Sequence, residues 1–125
     1  MNFQESLDYL YSLGNEVLAM KLGLAATEKL LARLGDPQNN YLKVQIAGTN
    51  GKGSTCAFLE SICRQAGIET GLTTSPHLIS ITERVKINGR EISEKDFARQ
   101  ATLIRETAER LVERGELETV PTFFE

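Results

Sequence analysis

Apolar residues recur along the chain at two spacings, and these divide it into helices and strands. Phe3, Leu7, Leu10 and Tyr11 fall on one side of a helix; Asn2 followed by Glu5 supplies a capping-box start, and Gly14 ends the run. A second helical pattern covers residues 25–34 and is closed by Gly35. "GDPQNN" is turn chemistry, and "LKVQIA" then alternates Leu42, Val44 and Ile46 with polar neighbours, predicting a strand. After "GTNGKGS", Cys56, Leu59, Ile62, Cys63 and Ala66 share one face of a third helix that ends at Gly67, and "IETGLTTS" predicts another strand. Strand, helix and strand in this order form a βαβ unit, which predicts parallel pairing.

Farther on, Asn88-Gly89 sits between Val85/Ile87 and Ile92, the strongest short hairpin signal because both turn residues tolerate positive φ. Ser93 with Asp96 resembles a capping box in which Asp replaces the usual Glu or Gln. Phe97, Ala101, Ile104, Ala108 and Leu111 follow at helical spacing up to Gly115, and the chain runs out in the apolar "VPTFFE".

Composition narrows the function classes. Within 125 residues, 41% hydrophobic and 25% charged content supports an ordinary globular core. A net charge of −3 gives no general positive field for nucleic acid. No stretch approaches the ~18 apolar residues of a membrane span, and "MNFQESLDYL" lacks the layout of a signal peptide, so a cytoplasmic location is expected. Cys56 and Cys63 on one helix lie roughly 10 Å apart at about 1.5 Å per residue, too far for a disulfide, and are expected to be reduced and buried.

The candidate chemistry lies between the "LKVQIA" strand and the third helix. Gly48, Gly51 and Gly53 let main-chain amides approach an anion without interference from side chains. The helix start adds unpaired N–H groups and a partial positive charge, and Lys52 adds a full one. Ser54 and Thr55 offer hydroxyls to phosphate or magnesium. The loop departs from G-x-x-x-x-G-K-[ST], with Ile46 in place of the first glycine and Gly53 in place of the hydroxyl residue. A tight turn with a surface lysine is the bland alternative. A dinucleotide site fits the glycine spacing poorly.

"AGTNGKGS" resembles the ATP loop of the Mur ligase superfamily, and Gly53 after the lysine resembles its folylpolyglutamate synthase and dihydrofolate synthase branch. "LGDPQ", "TSPHLISITERVKINGREI" and the terminal "TFFE" resemble that branch in the same order, so the similarity covers essentially the whole chain. It implies an α/β fold: a P-loop nucleotide-binding parallel sheet flanked by helices, with residues 1–125 as the incomplete N-terminal part of the ATP-binding domain. The rest of that domain and a C-terminal domain would lie beyond residue 125.

The resemblance also implies roles. Gly48, Thr49, Asn50, Gly51, Lys52, Gly53, Ser54 and Thr55 would hold the ATP phosphates, with Lys52 neutralising charge on the β- and γ-phosphates. Ser75 and Glu125 match magnesium positions. Pro76, His77, Leu78 and Arg84 fall in a mobile loop near ATP and folate, and Leu22 and Leu24 match pterin contacts more loosely. Taken from the residues alone, Ser75 is a loop serine restrained by Pro76, and His77 is a loop constituent, not a catalyst. The implied activity is ATP-dependent ligation of L-glutamate to dihydropteroate or reduced folates through an acyl phosphate. Family members are often monomeric, and residues 1–125 alone are expected to be inactive. Two other classes stay open, a different P-loop protein such as a small-molecule kinase and a non-catalytic nucleotide-binding module.

Overall fold

The computed structural model describes residues 1–14 and 24–123. They form two compact units, one made of Met1–Leu42 and Ala98–Glu125, the other of Lys43–Phe97.

In the first unit, helix α1 (Phe3–Ser12) opens with the expected capping box: Glu5 N–H donates to Asn2 Oδ1 and Asn2 N–H to Glu5 Oε2, both at 2.8 Å. Helix α2 (Ala25–Arg33) ends before Gly35, which adopts φ 84°. Helix α4 (Glu94–Glu113) belongs to this unit from Ala98 onward. At its start Ser93 Oγ accepts from Asp96 N–H at 3.1 Å and donates to Asp96 Oδ2 at 2.7 Å. Leu30 of α2 packs with Ala108, Leu111 and Leu117, bordered by Ala26, Leu34, Val112 and Val120. Past the helix, Glu116 N–H returns to Leu111 O at 2.9 Å, and Glu116 receives Arg33 Nη2 on both carboxylate oxygens at 2.8 Å. The N-terminus is tied to α4 as well. The Met1 ammonium donates to Thr102 Oγ1 at 2.9 Å, and the Arg105 guanidinium lies 4.9 Å from the centre of the Tyr9 ring.

In the second unit, helix α3 (Lys52–Gln65) is followed by β1 (Gly71–Thr73), a 3-10 turn (Ile81–Arg84), β2 (Val85–Ile87) and β3 (Arg90–Glu91). The hairpin forms as expected, with Asn88 at φ 49° and Gly89 at φ 76°. Among the described residues all strand pairing is antiparallel, in the order β1-β2-β3, with Leu72 opposite Lys86 and Ile87 opposite Arg90. The hairpin is fastened to α3. Glu60 Oε1 accepts from Arg64 Nε (3.0 Å) and Thr70 Oγ1 (2.7 Å), and Thr70 exchanges hydrogen bonds with Asn88.

Residues 42–47 form no strand, so the parallel pairing expected across α3 is absent among the described residues. Parallel strands are stable when neighbours pair with them and helices cover both faces. Here Leu42 is 100% and Val44 72% exposed. On α3 no residue is buried; Ile62, expected inward, is exposed, as is Phe58. Cys56 and Cys63 are free thiols, half-buried instead of buried. Helices with a small antiparallel sheet thus make up the α/β arrangement of the described residues.

Candidate functional site

The glycine-rich loop turns into α3 through Gly51, at φ 75° and ψ 6°, a left-handed conformation that costs glycine little and other residues more. No side chain caps the helix. The first intrahelical bond runs from Thr55 N–H to Gly51 O at 3.0 Å, which leaves the amides of residues 52–54 without an intrahelical partner. The first turns of α1, α2 and α4 each carry an acidic residue, whereas that of α3 carries none. No acidic residue of that turn therefore offsets the helix dipole there.

Lys52 Nζ folds back to donate to Gly48 O at 2.6 Å, which sets the ammonium against the loop that precedes it. Thr55 Oγ1 donates to Gly51 O at 2.9 Å, so its proton is committed to the backbone. Ser54, Thr49 and Asn50 are exposed, and of the two hydroxyl residues Ser54 is the one available to a ligand. A methyl group built on Gly53 would meet no atom within 4 Å, and its backbone is not left-handed. The fold itself does not require glycine there.

Ser75 and Pro76, joined by a cis peptide bond, open a second loop in the same unit. Ser75 is exposed and makes no hydrogen bond among the described residues. His77 is half-buried, and its Nδ1 accepts from Arg84 Nε at 2.8 Å, so in the neutral ring the proton resides on Nε2. Leu78 and Ile79 are exposed side by side, at 90% and 94%. Three consecutive amides converge on Glu83. Leu78 N–H donates to Oε2 at 3.0 Å; Ile79 and Ser80 donate to Oε1 at 2.8 and 2.7 Å. Donors from Leu78, Ser80 and Ile79, with a smaller contribution from His77, hold this carboxyl at about 2. Glu83 was not among the residues singled out from sequence. Its signal was present, since Ser80 followed by Glu83 matches the capping-box pattern, and the box forms.

Of the remaining candidates, Leu24 lies in the other unit, exposed at the start of α2, and Leu22 and Glu125 fall outside the described residues. No group of three His, Cys, Asp or Glu side chains among the described residues is placed to hold a metal. Magnesium shared with phosphates needs few protein oxygens, so a single free hydroxyl such as that of Ser75 suits it. No described helix is long and apolar enough to cross a membrane.

No protein-family model matches the chain. Over 126 residues it is 44% identical to a probable bifunctional folylpolyglutamate synthase/dihydropteroate synthase from Halobacterium salinarum, covering 100% of this chain and 15% of that protein. Folylpolyglutamate synthetase from Lactobacillus casei superposes with a TM-score of 0.86 at 27% identity, covering 99% of this chain and 30% of that one. A folylpolyglutamate synthase complex with AMPPCP and folate superposes with a TM-score of 0.85 at 28% identity, with the same coverage of both chains. The chain thus spans less than a third of the length of the proteins it matches.

Proposed function

From the premise that this chain corresponds to the N-terminal portion of the folylpolyglutamate synthase/dihydrofolate synthase family, we propose that it forms the phosphate-binding part of an ATP-dependent ligase. The ligase joins the amine of L-glutamate to the carboxylate of dihydropteroate or a reduced folate. The observation that carries the reading is the α3 start, where Gly51 opens the turn, the amides of residues 52–54 are unpaired and no acidic residue lies in the first turn.

A carboxylate is a poor electrophile, so it first takes the γ-phosphoryl group of ATP, and the glutamate amine then displaces phosphate from the acyl phosphate. Phosphoryl transfer asks a protein chiefly for positioning and charge neutralisation. Backbone amides at the head of α3 orient the phosphates, and Gly53 keeps the approach clear. Lys52 leaves Gly48 O and places its ammonium beside the β- and γ-phosphates. Ser75, with Ser54 as a further hydroxyl, would hold Mg2+, which supplies charge neutralisation at the phosphates when bound. The reading places the protein in the cytoplasm, where Cys56 and Cys63 stay reduced, and involves neither nucleic acid nor membrane.

The test uses the complete gene product that carries residues 1–125. Phosphate release should require ATP, magnesium, glutamate and a pteroate or folate together. Lys52→Ala should abolish it while the circular dichroism spectrum is retained. Phosphoryl transfer that proceeds equally without glutamate would refute the ligase reading and favour a kinase.

A further inference from the structure

Basic residues gather where α2 and α4 end. Arg33 and Arg110 lie in the last turns of the two helices, and Arg114 follows directly after α4. Cations at a helix C-terminus offset the negative end of its dipole. The dipole does not explain why all three arginines line a single cleft of about 400 Å3, together with Leu34, Leu103 and Leu111. No acidic side chain lines that cleft. The carboxylates that partner the arginines stand outside its lining. Glu116 takes Arg33 Nη2 on both oxygens at 2.8 Å, and Glu106 Oε2 lies 3.8 Å from Arg110 Nη2. Arg114 makes no side-chain hydrogen bond or salt bridge among the described residues, and its charge acts only at a distance, helping to lower the Glu116 carboxyl. Thr107, also in the lining, donates its hydroxyl proton to Leu103 O at 2.7 Å. The side-chain donors the cleft offers are therefore guanidinium groups.

We propose that this cleft binds a small organic anion carrying two or more carboxylate or phosphate groups. A guanidinium is a planar fork whose N–H groups match the oxygens of either group in pairs. One exposed ion pair contributes little, so three arginines around one cleft suit a ligand with more than one charge. The three leucines suit the uncharged segment between those charges. Arg33 is already anchored, and because its bond to Glu116 uses Nη2 alone it still offers Nε and Nη1. Size favours a small molecule over a protein partner. The volume falls within the roughly 300–1,000 Å3 of ligand pockets, whereas a specific protein interface covers about 800 Å2 on each side. All these residues lie in the first unit and the phosphate loop lies in the second, so the inference does not rest on the ligase reading.

The experiment titrates the complete gene product, labelled at its leucine methyl groups, with tri-γ-glutamate and separately with tripolyphosphate, and follows Leu34 and Leu103 by NMR. Saturable shifts at these methyls are expected with at least one probe, and added salt should weaken the binding. A response to tri-γ-glutamate alone assigns a polycarboxylate ligand, and a response to tripolyphosphate alone assigns a phosphate ligand. The double variant Arg110→Gln/Arg114→Gln leaves Arg33 on Glu116 and should weaken the probe at least tenfold with the urea midpoint retained. Lys52→Ala should leave the titration at these methyls unchanged, which separates the cleft from the phosphate loop. Absence of a saturable shift with either probe overturns the proposal, as does equal binding by the double variant or loss of the shifts in Lys52→Ala. A double variant that unfolds earlier, in a protein that binds neither probe, would show the cleft filled by another segment of the gene product and overturn it as well.

Discussion

Two glycines in the candidate phosphate loop should respond to the same substitution with opposite effects on stability and the same effect on binding. Gly51 stands at φ 75°, and a methyl group added there meets nothing within 4 Å. The cost of Gly51→Ala is therefore conformational, not steric, about 1–2 kcal/mol for an L-residue in the left-handed region. Gly53 lies in the first turn of α3 without a left-handed φ and likewise has open space around it. Alanine is the better helix former by up to ~1 kcal/mol, so Gly53→Ala should be neutral or stabilising. The two variants should differ by roughly 1–3 kcal/mol, which separates their urea midpoints by roughly 1 M at ordinary m-values. Both methyl groups would intrude where phosphate oxygens approach the amides, so each should weaken a fluorescent ATP analogue at least tenfold, about 1.4 kcal/mol. Urea unfolding followed by circular dichroism and a titration with the analogue on the same samples measure both quantities. A Gly53→Ala protein that is as stable as wild type and binds the nucleotide equally well would refute the close approach on which the site depends.

Elsewhere, Leu111→Ala empties a position only 2% exposed, between Leu30, Ala108 and Leu117. It should cost about 2–5 kcal/mol in denaturant unfolding. Gly89→Ala combines φ 76° with a methyl group 2.8 Å from Arg64 Nε. It should destabilise by about 1–2 kcal/mol from the backbone alone and also disturb the turn, seen as faster exchange of the Thr70 amide, which donates to Asn88 Oδ1. Acid should weaken the protein in a defined window. Glu83, at about 2, and Glu116, lowered chiefly by its hydrogen bond from Arg33, both have folded pKa values below the ordinary 4.5. Their contribution is complete above the unfolded value and fades as pH falls below 4.5, in the case of Glu83 toward 2. Urea midpoints measured through that interval should decline less steeply in Glu83→Gln than in wild type, and equal slopes would contradict the assignment.

Local signals were the most legible. The Asn2/Glu5 capping box, the glycine stops at residues 35 and 115 and the Asn88-Gly89 turn all formed where the residues indicated, because caps and turns are closed by groups within a few residues of one another. The turn into α3 was equally readable as local structure, with Gly51 left-handed and the helix starting at Lys52. For Glu83 the spacing from Ser80 signals the cap, but the further amides of Leu78 and Ile79 reach it only through the path of the loop, which no local pattern encodes.

The amino-acid sequence by itself thus determined the helices, the hairpin, the family resemblance and the candidates for meeting a phosphate, all of which depend on near neighbours along the chain. Only the tertiary structure decided that residues 42–47 form no strand, that Ile62 faces solvent and that three amides turn inward onto Glu83. Alternation of apolar residues states which faces of a strand seek cover, but hydrogen bonds between strands and burial of a face need a partner, and the sequence of one segment does not say whether that partner is present.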